Sequence, residues 1–324
     1  MFKAGENPHD SSIPDTSQEN GQLQFSLRNN PNFRKALKAN EDFLEAIGIT
    51  KDLPSGLEHI SYIRKLCTMF SFDWSRFFSA GRNEVYSYYL RHFKQKVEVD
   101  VIKKQMPRSN IVVLLSDVGL GRLLNEIRAM GFSIICHFSD SHLADAYEKF
   151  EKKCREGMNS DSLTIYPYFS HRKLLSKRKI DVTFPETEAI ELLNKTDRRK
   201  QDYRMAVGNF VNHFGHDSMK NNYKIIITGR KLSNIPDVIS FIEAVYLVLD
   251  NDGIWIHQGI YEENEIEQPK YPQLTRESLV DIARMCGFKI VENSTGLLND
   301  LKTSKREPMS DKIDAILQLC FVKN

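Results

Sequence analysis

The segment Ile111-Val112-Val113-Leu114-Leu115-Ser116-Asp117-Val118-Gly119-Leu120-Gly121-Arg122-Leu123-Leu124-Asn125-Glu126-Ile127 constrains the chain most. Five branched aliphatic side chains in succession suit a strand buried on both faces, as in a parallel sheet covered by helices. The Gly-x-Gly that follows permits positive φ and a close approach of backbone to a ligand at the N-terminus of the next helix. A nucleotide-like cofactor is commonly held this way, and the same strand-glycine-helix turn also occurs as plain packing. Where such a loop usually carries its first glycine, this chain has Asp117.

At 324 residues and 41% hydrophobic content the chain can bury a large core, in one large or two modest domains. Its 45 basic and 43 acidic residues leave a net charge of +2, so no global field points to nucleic acid or membrane, and a small or local partner is expected. Five scattered cysteines without a Cys-x-x-Cys pair argue against a zinc knuckle or a disulfide scaffold. No apolar run reaches ~18 residues, so neither signal peptide nor membrane span is expected. The polar stretch 1–30 reads as a disordered tail, and a reduced compartment fits the whole: the cytoplasm, with the nucleus left open.

Residues 31–105 read as a helical N-terminal region. Asn30 before Pro31 predicts a cap and first turn, and Phe33, Leu37, Phe43, Leu44, Ile47, Ile60, Ile63, Leu66 and Phe70 recur at helical spacing. Trp74, Phe77 and Phe78, with Glu84 to Phe93, predict an aromatic-rich helix pair covering one edge of the later sheet. These stripes are apolar enough for a homodimer and equally suit an intramolecular core. From residue 106 the period changes to alternating strand and helix, the pattern of a doubly wound α/β sheet. The strands run Ile111 to Leu115, Phe132 to Phe138, Lys224 to Thr228, Gly253 to Gln258, Phe288 to Asn293 and Ile313 to Val322. The helices are Arg122 to Met130, Ser141 to Arg155, Pro236 to Leu249 and Thr275 to Met285, giving a sheet of six or seven strands. An insertion at about 156–222 interrupts the alternation; its basic run from Arg172 to Lys179 suits an acidic substrate, RNA, or simply solvent.

Several polar residues fall at predicted strand ends, where open α/β sheets bind ligands. Asp140, after the second strand, suits ribose hydroxyls or the N-cap of the next helix. Asn209, before Phe210, suits an adenine edge or a turn bond. His257 ends the strand after Trp255, either as a partly exposed strand-end residue or at an active edge.

With these landmarks in order, the chain resembles the carnosine N-methyltransferase family from about Leu57 onward. The resemblance rests on Phe72-Asp73-Trp74-Ser75 with Gly81, Glu84 and Tyr86; on Leu115 to Leu123; on Leu163-Thr164-Ile165-Tyr166-Pro167; on Phe184-Pro185; on Gly208-Asn209-Phe210; and on Asp252-Gly253-Ile254-Trp255-Ile256. It implies a Rossmann-like class I methyltransferase fold, S-adenosylmethionine as cofactor, and methyl transfer to the imidazole of a histidine-containing peptide or similar small molecule. It places Asp117, Gly119, Gly121, Asp140, Asn209 and Phe210 at the cofactor, Tyr166, Tyr261 and Asn264 at the acceptor, and His257 and Ser233 as catalytic candidates.

Position by position, the chain departs from the family where chemistry is expected. Asp117 stands for the loop's first glycine, Phe138 for a ribose-binding glutamate, Met69 and Phe72 for a glutamine and an arginine, Asn209 for an aspartate, and Ser233 or nothing for the imidazole-positioning carboxylate. Asn264 falls near the family's loop histidine, and its final-strand tyrosine has no clear counterpart around Ala315 and Ile316. At ~1.5–3 kcal/mol for each lost hydrogen bond to a charged or ribose group, such losses lower cofactor affinity by several powers of ten. Three readings follow: a divergent N-methyltransferase, an inactive methyltransferase-like module, or a protein- or RNA-binding subunit.

Overall fold

The computed structural model describes residues 30–49, 56–156, 162–167, 180–183, 187–199, 203–229, 235–261, 275–299 and 313–323. The chain enters through three helices, α1 (Pro31–Ala46), α2 (Gly56–Trp74) and α3 (Ser79–Val97). Asn30 caps α1 as its sequence predicts, its side chain accepting hydrogen bonds from the Asn32 and Phe33 amides. The alternating part follows as β1 (Val112–Ser116), α4 (Arg122–Ala129), β2 (Ser133–Phe138) and α5 (Ser141–Arg155). A small antiparallel pair, β3 (Ser162–Ile165) and β4 (Ile180–Thr183), precedes α6 (Thr187–Arg199), β5 (Tyr203–Val207) and the short α7 (Phe210–Phe214). The chain then runs through β6 (Tyr223–Thr228), α8 (Val238–Val248), β7 (Leu249–Tyr261), α9 (Arg276–Met285), β8 (Phe288–Asn299) and β9 (Ile313–Lys323).

Seven strands form one sheet in the order β5-β2-β1-β6-β7-β9-β8. The first five are parallel, and β9 runs antiparallel between β7 and β8. Burial on both faces explains the aliphatic runs. Val113, Leu115, Ile225, Ile227, Ile254 and Ile256 face one core, shared with α1 to α5, and Leu114, Ile226 and Trp255 face the other, shared with α7 to α9.

Three expectations are corrected. The helix pair is not confined to a sheet edge: Arg91 and His92 of α3 bond to Glu292 of the edge strand β8, and Tyr89 donates its hydroxyl to the Gln258 carbonyl at 2.9 Å, which carries α3 over β7 as well. Helical periodicity shows that a face is apolar, but not which strands it meets. The segment 156–222 contributes β5, an edge strand of the main sheet, whose mixed Tyr-Arg-Met-Ala-Val hides the strand pattern. His257 is not partly exposed but 1% exposed.

Residues 1–29, the basic run 172–179 and the Phe184-Pro185 landmark lie outside the described residues. Among the described residues no helix is long and apolar enough to cross a membrane, and no His, Cys, Asp and Glu group is arranged to hold a metal.

Candidate functional site

Connections from β1 lead toward β2 and β5 on one side, whereas β6 and β7 lie on the other, so the sheet changes direction between β1 and β6. Ligands of open α/β sheets bind at the carboxyl ends beside such a switch. Here a cavity of about 250 Å³ opens, lined by Ser116, Asp117, Asn209, Phe210, Thr228, Asp237 and His257 among others.

The glycine loop is built from within. Gly119 has φ +96°, and a Cβ there would lie 2.6 Å from the Asp73 carboxylate. Gly121 has φ +87°, and a Cβ would lie 2.0 Å from the Tyr147 ring. Asp73, at the end of α2, accepts hydrogen bonds from the Leu120 amide and, at 2.7 Å, from the Tyr86 hydroxyl. Its neighbour Trp74 donates its indole N–H to the Leu120 carbonyl at 2.8 Å. Both backbone groups of Leu120 are thus held by α2. Burial pushes the Asp73 carboxyl up to about 6, against the lowering effect of Tyr86, the Leu120 amide and the Arg82 charge. The Asp-Trp pair was legible as a family landmark, but its role as a clamp on the loop was not.

Asp117 is a non-glycine residue at φ 51°. Its Oδ1 accepts from the Ser139 amide at 2.8 Å and the Ser139 hydroxyl at 3.0 Å, which ties the ends of β1 and β2 together while the residue still lines the cavity. Asp140 is the N-cap of α5, accepting from the His142 amide at 3.0 Å and pairing with Lys65 at 2.7 Å. Burial raises its carboxyl, and the hydrogen bond and charge of Lys65 outweigh that and hold it below the usual carboxylate value. Phe138 is buried among the core residues beside Tyr147. Asn209 caps α7, accepting from the Asn212 amide at 3.0 Å, and lines the cavity beside Phe210.

His257 also lines the cavity, with Nδ1 2.8 Å from the Thr228 hydroxyl. Burial drives its pKa down to about 3, so the ring is neutral. Tyr166 is elsewhere: its amide donates to the Asn40 side chain at 2.7 Å and its carbonyl accepts from the same side chain at 3.0 Å, fastening it to α1. Tyr261 ends β7; Ser233 and Asn264 lie outside the described residues. The structure therefore brings Asp117, Asn209, Phe210 and His257 together, sets Gly119 and Gly121 against α2 and α5, and leaves Asp140 and Tyr166 in other bonding.

The five parallel strands, the reversed β9 and the cavity at the switch define the fold of a class I methyltransferase. The model of the carnosine N-methyltransferase family matches residues 50–320, and the chain belongs to that family. It is 22% identical over 304 residues to the carnosine N-methyltransferase of Schizosaccharomyces pombe, covering 89% of this chain and 76% of that protein. It is 22% identical over 265 residues to the carnosine N-methyltransferase of Rattus norvegicus, covering 79% of this chain but 62% of the rat protein's length. Among solved structures, the Haemonchus contortus phosphoethanolamine N-methyltransferase 2 in complex with S-adenosyl-L-methionine aligns at TM-score 0.44 and 10% identity, over 88% of this chain and 60% of that one.

Proposed function

We propose that the chain is a divergent S-adenosylmethionine-dependent N-methyltransferase that seats the adenosine half of its cofactor in the switch-point cavity and methylates an imidazole or histidine-containing peptide. The observation that carries this reading is the convergence of Asp117, Asn209, Phe210 and His257 on a cavity of about 250 Å³ in a chain of this family.

The fit of the cofactor to these residues is uneven. A neutral purine edge suits the Asn209 amide and the Phe210 ring, and a sulfonium cation suits the carboxylates of Asp117 and Asp237. The cofactor's own carboxylate lacks a cation, since no Lys or Arg is among the described lining residues. The Leu120 amide, at the helix end where such a carboxylate would sit, is given to Asp73. When bound, the cofactor supplies an electrophilic methyl group. The chain's part is to orient the acceptor and keep its attacking ring nitrogen unprotonated, and in this reading Asp117 would accept the N–H of the other ring nitrogen.

A second reading, an inactive methyltransferase-like module working through protein or RNA contacts, is favoured by the same Asp73 clamp and by the burial of Phe138 in the core. Calorimetric titration with S-adenosylmethionine and S-adenosylhomocysteine separates the two. Micromolar binding supports the enzyme and calls for carnosine and other histidine peptides to be tested as acceptors. Absence of heat at millimolar ligand overturns it, and salt-dependent retention of an RNA pool would then single out the RNA-binding form.

A further inference from the structure

One level of the sheet is polar across four adjacent strands. His137 of β2, Ser116 of β1, Thr228 of β6 and His257 of β7 are successive register partners. All four are buried, and they share the face on which α7 and α8 pack. The row consists of two imidazole–hydroxyl pairs side by side.

The pair at β2 and β1 is closed. His137 Nε2 lies 2.9 Å from the Gly208 carbonyl oxygen, which only accepts, so Nε2 carries the proton. Nδ1, 2.9 Å from Ser116 Oγ, then accepts the serine hydroxyl. Both ring nitrogens are used inside the protein.

The pair at β6 and β7 is open. Thr228 Oγ1 receives the indole N–H of Trp255 at 2.9 Å, a group that can only donate. Among the described residues Nδ1 of His257, at 2.8 Å, is the one atom bonded to this buried hydroxyl that can accept its proton, so the threonine donates there. Nε2 of the neutral ring then bears the remaining proton. Unlike Nε2 of His137, it meets no protein acceptor among the described residues, and His257 borders the cavity.

We propose that His257 is a positioning residue: a fixed N–H donor that binds an acceptor atom of a neutral nitrogen heterocycle seated in the switch-point cavity. Its Nδ1 lone pair is already engaged by Thr228, so it does not act as a base. Low basicity from burial keeps the ring uncharged and preserves this tautomer. The same cavity offers Asp117 as an acceptor, which complements a ring presenting a bare nitrogen near an N–H group. Adenine has that edge, a bare ring nitrogen beside its exocyclic amine, and so does imidazole, although an imidazole held this way has its one lone pair taken by His257 and is not the ring that attacks a methyl group. The inference rests on the cavity being a ligand site, as in the proposed function, and not on methyl transfer.

The test is a long-range proton–nitrogen NMR spectrum of the histidine side chains in the full-length protein near neutral pH, with His257 assigned by His257→Gln. Adenosine and imidazole are added separately at millimolar concentration. A neutral His257 protonated on Nε2, whose Nε2 signal moves with one probe, is the expected result, and the probe that moves it identifies the ring. His257→Phe is expected to weaken that probe by roughly 10-fold, the worth of one neutral hydrogen bond, and His257→Gln, which keeps a donor, to recover most of it. A proton on Nδ1, an imidazolium, or an unmoved Nε2 with both probes would overturn the proposal. The tautomer is read on the unsubstituted protein, so it stands even where a variant fails to fold. If S-adenosylmethionine gives no heat while a probe still moves Nε2, the methyltransferase reading fails and the role of His257 survives.

Discussion

Asp73 is a carboxylate placed where water cannot reach it, with a folded pKa of about 6 against an ordinary 3.8. Below both values it is protonated in either state and costs nothing; above both it is ionised in either state, and the folded protein carries a buried charge. Its contribution therefore turns unfavourable as pH rises from about 4 to about 6, by on the order of 3 kcal/mol. Asp73→Asn is expected to remove this slope. Urea midpoints measured across that window should show the variant gaining on the parent as pH rises, and parallel curves would refute the assignment. Asp73→Ala, which strands the Tyr86 hydroxyl and the Leu120 amide, is expected to lose about 2–4 kcal/mol at any pH in the window. At the same scale Asn40, fully buried, makes two bonds to the backbone of Tyr166, and Asn40→Ala should cost about 2 kcal/mol in the same assay.

The turn between β1 and α4 shows how far an element can be read from sequence. Its aliphatic strand, glycines and helix were all legible, because consecutive buried side chains and positive φ leave residue-type signatures. What the glycines are for was not, since a glycine making room for a ligand and one making room for a neighbouring side chain look alike in one dimension. Gly121 makes room for Tyr147, so Gly121→Ala is expected to destabilise by about 2–5 kcal/mol through steric overlap and an unfavourable φ, read as a lowered melting temperature. Asp140 could be foreseen as a cap because it stands directly before a helical run, and it caps α5; Asn209, read as an adenine contact or a turn bond, caps α7, a helix too short to show a period in the sequence. β5 escaped because a mixed edge strand lacks alternation, and the burial of His257 escaped because its partner Thr228 lies 29 positions away in the chain.

At the scale of the whole molecule the sheet depends on β9. It pairs with β7 along one side and β8 along the other, and Lys323 near its end donates to the carbonyls of Tyr246 and Leu249, each at 2.7 Å, and to Asn221 at 2.8 Å. Lys323→Met, which keeps the stem and removes three bonded donors, is expected to cost about 2–3 kcal/mol. A chain ending before Ile313 is expected to show no cooperative thermal transition, because β8 then has no neighbour and Trp255 loses the stacked Phe321. A two-state melt of that shortened chain would show that the parallel half folds alone.

Because β9 is made after β8 yet lies inside it, the sheet cannot be completed in the order of synthesis. While residues up to 312 emerge from the ribosome, β7 presents an open edge and β8 has nothing to pair with. The nascent chain must carry that unpaired hydrophobic edge until residue 323 is free of the exit tunnel, which makes this interval its period of greatest exposure to aggregation and to chaperones.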